Sequence, residues 1–292
     1  LKYPPMNPLR LRSLRPSVLL VLGGSGCISA PIDSSTFMSE LAAGAIPLQG
    51  GSGHHRTVSH ASPEAQKWFD QGLRYLYAFN QNASAACFAR AALASPECPM
   101  AWWGVAQALS VDINDMDVPQ DEARRALSAI HQAKKYAHHA TPLEQLLIQA
   151  LAKRTVVPAP AKTDRKNIDL AYAEAMQQAW EKAPGDADIG VLFAESLMLL
   201  QPWNYWTSDR EPIERANEIV TTLEKILRMS QNHPGANHLY IHMVESSKNP
   251  ERGIPSADRL GKLEPGSGHL VHMPSHIYVN VGRYKDAVTV NE

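Results

Sequence analysis

Histidines are concentrated in one stretch of the sequence. Six of the twelve histidines lie between positions 233 and 276, and these are His233, His238, His242, His269, His272 and His276. In the first group, His238, His242 and Glu245 follow one another at spacings of four and three residues, which places them on one face of a helix. The second group, from His269 to His276, repeats these spacings in the opposite order. Imidazole and carboxylate are ligands of transition metals, so the pattern predicts a metal site.

The ligand types narrow the choice of metal without fixing it. Imidazole suits zinc, copper, iron and nickel alike. Met243 and Met273 lie beside the histidines and favour copper, whereas the lack of a nearby cysteine disfavours a thiolate zinc site. We therefore expect a transition metal, zinc or copper. The alternative is that each histidine is only a polar groove residue or a helix cap.

Glu245 is the candidate catalytic group. If a bound metal keeps an open coordination position, this carboxylate could act as a base on metal-bound water. The spacing His238-x3-His242-x2-Glu245 differs from the His-Glu-x2-His signature of metalloproteases. Catalysis is therefore left open by the sequence.

The elements that carry these residues read as paired helices. Residues 65–98 follow a repeat pattern of about 34 residues, with matching residues at Trp68, Gly72, Tyr75, Phe88 and Pro96. One period later, Trp102, Ala106 and Leu109 occupy the positions of Trp68, Gly72 and Tyr75. Small residues at such points let two helices approach closely. On these residues the chain resembles the tetratricopeptide repeat superfamily over roughly residues 63–292.

The resemblance implies an all-α fold, a right-handed superhelical solenoid of antiparallel helix pairs that binds a peptide or protein segment in its concave groove. The repeat register places His238 and His269 at equivalent positions of their repeats. It likewise makes Glu245 equivalent to His276 and Glu195. We therefore expect both histidine groups to face one groove. Pro274 should kink or break the helix that carries the second group. Residues 233–245 and 268–284 also resemble a bacterial subfamily of exported repeat proteins with His-rich segments, for which no activity is carried over.

Four further residues are candidates for the lining of the groove. They are His233, Glu195, Trp203 and Trp206. Trp203 and Trp206 belong to an aromatic turn after a predicted helix and could stack on a ligand. Packing beneath a loop is the alternative for both.

The start of the chain has the layout of an export signal. Three arginines, Arg10, Arg12 and Arg15, precede a short apolar run at 18–22 and a Gly/Ser stretch ending at Cys27. This predicts an exported protein of the periplasm, or a lipoprotein anchored through Cys27. We expect a leader at 1–27, a flexible tether at 28–62 and a repeat domain at 63–292 that stops within a repeat.

Composition excludes some classes of partner. The chain has 28 Lys and Arg against 29 Asp and Glu, a net charge of -1. This balance, without a basic stripe, argues against nucleic acid and against an anionic membrane surface, so membrane contact is expected only through a lipid anchor. Two functions remain: an exported binding scaffold whose groove carries a metal, or a metal-dependent hydrolase or oxidoreductase that uses the same cluster.

Overall fold

The computed structural model describes residues 34–292, and these form one compact helical unit. The leader at 1–27, the acylation of Cys27 and the first residues of the tether lie outside the described residues. The fourteen α-helices of the described part are α1 (Ser34–Ala42), α2 (Pro63–Tyr77), α3 (Gln81–Ala94), α4 (Pro99–Ala108), α5 (Gln120–Lys135), α6 (Pro142–Arg154), α7 (Lys166–Lys182), α8 (Ala187–Met198), α9 (Ala216–Met229), α10 (Pro234–Val244), α11 (Ile254–Leu263), α12 (Gly268–His272), α13 (Pro274–Asn280) and α14 (Tyr284–Thr289).

Consecutive helices pack against one another along the chain, from α2 and α3 onward. The close approach depends on small residues where large side chains would clash. A Cβ atom on Gly72 of α2 or Gly104 of α4 would lie 2.6 or 2.3 Å from the ring of Phe88 on α3. Between residues 34 and 292 no β-strand is formed, and Trp206 and Pro212 make an isolated bridge. The predicted all-α fold of stacked helix pairs is confirmed.

The row of helices curves until α2 touches α10. A Cβ atom on Gly235, at the start of α10, would lie 2.5 Å from the ring of Tyr77 at the end of α2. The carbonyl of Tyr77 also receives a hydrogen bond of 2.7 Å from His238. At this level, the concave side of the helix row is therefore closed by direct contact between helices.

Residues 48–58, here called the strap, run across the contact between α2 and α10. Ser52 donates to Glu264 at 2.7 Å, Arg56 donates to Asp186 at 2.7 Å, and the Gly50 carbonyl accepts from Arg74. Arg74 and Glu264 form an ion pair of 2.7 Å whose side chains are almost fully buried. The sequence assigned the strap to a flexible tether because it is rich in small polar residues. Its polar groups instead find partners on the helices.

Pro274 separates the last histidine-bearing helices as expected. Helix α12 ends at His272 and α13 begins at Pro274, because proline lacks the N–H that would continue the helix. No helix among residues 34–292 is both long and apolar enough to span a bilayer.

Candidate metal centre

Helix α10 positions two of the histidines. Its N-cap is His233, whose side chain accepts from the N–H of Ala236, and Pro234 occupies the first turn. All residues from Pro234 to Val244 are buried, so the helix has no solvated face. His238 and His242, one turn apart, point to the same side and are 0% and 4% exposed.

The third histidine comes from α12. This short helix begins after Ser267, whose hydroxyl accepts from the N–H of Leu270. It places the Nε2 atom of His269 3.0 Å from Nε2 of His238, and Nε2 of His242 lies 3.1 Å from the same atom. In a tetrahedral zinc site with Zn–N bonds of about 2.05 Å, ligand nitrogens are about 3.3 Å apart. Two of the three separations are therefore close to the spacing that one ion requires, and one ligand atom from each of the three residues lies within 4.8 Å of the others.

Hydrogen bonds fix the tautomers of two of these rings. Nδ1 of His238 lies 2.7 Å from the Tyr77 carbonyl, which can only accept, so Nδ1 carries the proton. Nδ1 of His242 lies 3.2 Å from Oε1 of Glu245, a carboxylate that also accepts. When both rings are neutral, their Nε2 atoms bear no proton and their lone pairs face each other. A cation between them resolves this conflict.

Glu245 accepts hydrogen bonds from two imidazole rings, one through each carboxylate oxygen. Its Oε2 atom accepts from Nδ1 of His276 at 2.6 Å, while Oε1 accepts from His242. Nε2 of His276 lies 3.1 Å from Nε2 of His272, and Nδ1 of His272 lies 2.5 Å from Oδ1 of Asn291. The groups His242–Glu245–His276 and His238–His242–His269 are each compact enough to hold an ion.

Two aromatic side chains cover the centre, and both have strained backbones. Phe79 has φ 52° and Trp203 has φ 64°, in the left-handed region that non-glycine residues rarely adopt. The Phe79 ring lies 4.4 Å from the ring of His238, and the Trp203 ring meets His242 edge-on at 5.1 Å. Trp203 also donates to the carbonyl of Ile113 at 2.8 Å. Such strain is concentrated at functional sites.

The surroundings keep the imidazoles of His238 and His269 neutral. Burial, helped by repulsion from His242 and His269, sets the pKa of His238 well below its usual value. Burial and the neighbouring histidines lower the pKa of His269 to about 4. Burial raises the pKa of Glu245, but hydrogen bonds from His242 and His276 outweigh it and bring that pKa to about 2. A neutral ring offers the lone pair that a metal binds.

His233 lies in a different cluster. Its Nε2 atom is 3.1 Å from Oδ1 of Asp188, and Nε2 of His54, in the strap, is 2.9 Å from the same oxygen. The Tyr77 hydroxyl donates to Oδ1, and Arg56 donates to Oδ2 at 3.1 Å. We call Asp188 with these four partners the aspartate node. Each of the four partners lies within hydrogen-bond distance of a carboxylate oxygen of Asp188.

Glu195 and Trp206, the remaining predicted groove residues, interact with other groups. Glu195 lies among Arg154 and Asp112 instead. Burial, despite the attraction of Arg154, raises the pKa of Glu195 to about 7. Trp206 donates to the Met243 carbonyl at 2.7 Å and so ties its loop to the end of α10. Helix α10 contacts both α2 and α8, and the place of Glu195 in the groove stays a prediction.

A further group, His60, Glu97 and His139, lies on the surface. The rings of His60 and His139 stack at 3.9 Å, and Oε2 of Glu97 is 3.3 and 3.5 Å from their Nε2 atoms. Glu97 is 56% exposed, so water competes with any ion there. Sequence reasoning missed the Tyr77 carbonyl and Phe79 as parts of the buried centre, and neither carries a motif that would have indicated it.

No family model matches the chain, and no curated protein sequence matches it. Among solved structures, the chain is similar to YrrB, described as a TPR protein with an unusual peptide-binding site. The identity is 12% and the TM-score 0.34, over 72% of this chain and 91% of that one.

Proposed function

We propose that the chain binds one zinc ion through the Nε2 atoms of His238, His242 and His269. We call these three residues the histidine centre. The observation that carries the proposal is the pair of proton-free nitrogens of His238 and His242, which face each other at 3.1 Å in a buried site. Two lone pairs that face each other at that distance repel. A divalent cation between the two nitrogens would instead form one bond with each of them.

The surroundings support this proposal. A metal-binding histidine commonly donates its other N–H to a carbonyl or a carboxylate, which fixes the ring. Here the Tyr77 carbonyl holds His238 and Glu245 holds His242. Met243 and Met273 belong to the hydrophobic core, so packing accounts for the two sulfurs that favoured copper.

Glu245 acts in this proposal as an orienting group. Both of its oxygens accept from ring nitrogens, at 3.2 Å from His242 and 2.6 Å from His276. A base that takes a proton from metal-bound water needs an oxygen directed at that water. The predicted catalytic role of Glu245, and with it the hydrolase or oxidoreductase alternative, stays a prediction.

The test is a zinc titration of the metal-free protein, with copper in parallel. We expect one equivalent of zinc to bind tightly to the wild type and to the matched control His55→Ala, whose ring is paired with Asp70 at the surface. His269→Ala should lose that equivalent, because two imidazoles remain. Unchanged binding by His269→Ala, or a folded wild type that binds neither metal, would overturn the proposal. Binding of copper alone would keep the site and reject zinc.

Peptide binding and export stay predictions. Helices α2 and α10 are in contact at the level of the histidine centre, and a peptide or protein segment in the concave groove stays a prediction. Export rests on the leader pattern at residues 1–27, with periplasmic or lipid-anchored placement tested by cell fractionation. A Cys27→Ala variant separates the two, since it removes the acylated residue and leaves a soluble exported protein.

A further inference from the structure

His272 and His276, which lie outside the histidine centre, form a further pair of facing imidazoles. Nε2 of His272 lies 3.1 Å from Nε2 of His276, the same distance that separates the facing nitrogens on helix α10. The two residues remain one turn apart across Pro274, because the N–H of His276 donates to the Met273 carbonyl at 3.1 Å and keeps the backbone coiled. We call His272 and His276 the outer pair.

The other ring nitrogens of the outer pair both face acceptors. Nδ1 of His276 donates to Oε2 of Glu245 at 2.6 Å. Nδ1 of His272 lies 2.5 Å from Oδ1 of Asn291, and the orientation of this amide is fixed by its Nδ2 atom, which donates to the Ala287 carbonyl at 2.6 Å. Both Nδ1 atoms therefore carry the proton. When the two rings are neutral, each Nε2 atom has a bare lone pair that faces the other.

A proton or a metal ion can relieve the repulsion between these lone pairs. Burial lowers the pKa of His276, but the hydrogen bond to Glu245 and the attraction of its charge raise that pKa overall. A proton on Nε2 of His276 would donate to Nε2 of His272. Because a proton and a metal ion compete for the same lone pair, the metal is favoured as the pH rises.

The outer pair offers two protein ligands and access to water. Two histidines one helical turn apart supply two of the zinc ligands in the His-Glu-x2-His helices of metalloproteases. Among the described residues, no compact group of three potential ligands includes His272. The side chain of His276 is 30% exposed, in contrast to the buried rings of the histidine centre. Water can therefore reach the coordination positions that the protein leaves open.

We propose that the outer pair binds a second divalent transition-metal ion through the two Nε2 atoms, with water as the remaining ligands. Its ligands differ from those of the histidine centre, so either ion can bind without the other. Glu245 orients a ring at each site, since it accepts from His242 at 3.2 Å and from His276 at 2.6 Å. Loss of such an orienting partner costs about 10–100-fold in affinity, so the absence of a third protein ligand should weaken the second ion by more than about 100-fold.

A zinc titration of the metal-free protein at pH 8, continued beyond one equivalent, tests the proposal. Wild type should bind a second equivalent more than about 100-fold more weakly than the first. His272→Ala should lose the second equivalent and keep the first, whereas His269→Ala should lose the first and keep the second. His131→Ala, at an exposed histidine on α5, is the matched control and should bind both equivalents like the wild type.

Asn291→Ala tests the orientation of the outer pair without removing a ligand. This variant deletes the acceptor of Nδ1 of His272 and should weaken the second equivalent about 10–100-fold while leaving the first unchanged. A wild type that binds one equivalent only, kept by His272→Ala, would show that a proton occupies the outer pair and would leave the histidine centre intact. A second equivalent that survives in His272→Ala would place that ion elsewhere and reject the proposal. Conversely, a single weak equivalent that His272→Ala loses and His269→Ala keeps would support the outer pair and reject zinc at the histidine centre.

Discussion

Two histidine clusters in this molecule contain similar residues, but their ring nitrogens face different groups. The aspartate node places a carboxylate between His54 and His233, and each ring nitrogen that faces it can donate. The histidine centre places rings around a point that holds no carboxylate, and two of them present bare nitrogens. The node is satisfied within the protein, whereas in our proposal a cation completes the centre.

This difference shows that the count of histidines does not identify a metal site. Both clusters contain groups compact enough to hold an ion. The two clusters differ in the group that faces the histidine nitrogens. In the aspartate node that group is a carboxylate, whereas in the histidine centre it is the nitrogen of another imidazole.

The largest expected effect comes from removing the carboxylate of the aspartate node. Asp188→Asn should lower the free energy of unfolding by about 3–5 kcal/mol, because it leaves the buried Arg56 side chain without one of its two charge partners and breaks the hydrogen bonds of the node. Urea unfolding measures the loss. Zinc stoichiometry should stay at one, and Asp258→Asn, at an exposed carboxylate, should cost less than about 1 kcal/mol. Loss of zinc by folded Asp188→Asn would contradict the comparison.

The second effect is stabilisation by metal. With zinc about 1,000-fold above its dissociation constant, unfolding of the wild type should cost about 4 kcal/mol more than in the chelated protein. His238→Ala should lose this increment, whereas His54→Ala, which alters only the node, should keep it. The measurement is urea unfolding with and without chelator. An increment that survives in His238→Ala would show that the ion binds elsewhere.

A third prediction concerns Glu195, a buried acid that has neither the donors of the node nor a metal. Because its folded pKa of about 7 lies above the unfolded value, its ionisation costs stability, a cost absent below about pH 4.5 that grows as the pH rises through 7. Glu195→Gln should therefore be more stable than wild type at pH 8 by about 3 kcal/mol, relative to pH 4.5.

Unfolding curves across this pH range test the sign for Glu195. The ionisable groups around it are Arg154, Asp112, Tyr172 and Tyr205. An equal pH profile in wild type and Glu195→Gln would show that this carboxyl titrates normally.

The smallest expected effect is on the orientation of a ligand. Glu245→Gln should keep one zinc ion but lower its affinity about 10–100-fold, since a neutral amide holds the His242 ring less firmly. Competition with a chromophoric chelator measures this change. Glu251→Gln, an exposed position in a short turn, is the matched control. An affinity unchanged by Glu245→Gln would remove Glu245 from the metal site.

The local features of the fold could be predicted from sequence. The all-α fold is expected from the repeat pattern, and residues 34–292 form fourteen α-helices without a β-strand. The break at Pro274 was also anticipated, because proline acts through its own backbone. The register that placed His238 level with His269, and Glu245 level with His276, matches contacts of 3.0 and 2.6 Å in the structure. Each of these rests on short-range spacing within one or two repeats.

Features that depend on distant parts of the chain were not predictable. The sequence predicts a flexible tether for the strap because Gly and Ser carry no periodic signal, whereas in the structure His54 and Arg56 of the strap contact Asp188. The assignment of Glu195 to the groove depends on every repeat facing it alike, and it stays a prediction. The closure of α2 on α10 depends on the accumulated curvature of several helix pairs, which no motif encodes.

The bond between the Tyr77 carbonyl and His238 spans 161 positions of the chain. Closing so long a loop costs conformational entropy that local helix formation does not recover, and contacts of high sequence separation slow folding. We therefore expect the ligand geometry to be assembled late, after the intervening helix pairs have stacked. Metal binding would then require that the helices from α2 to α12 have already packed together. Release of the ion would weaken the contact between α2 and α10.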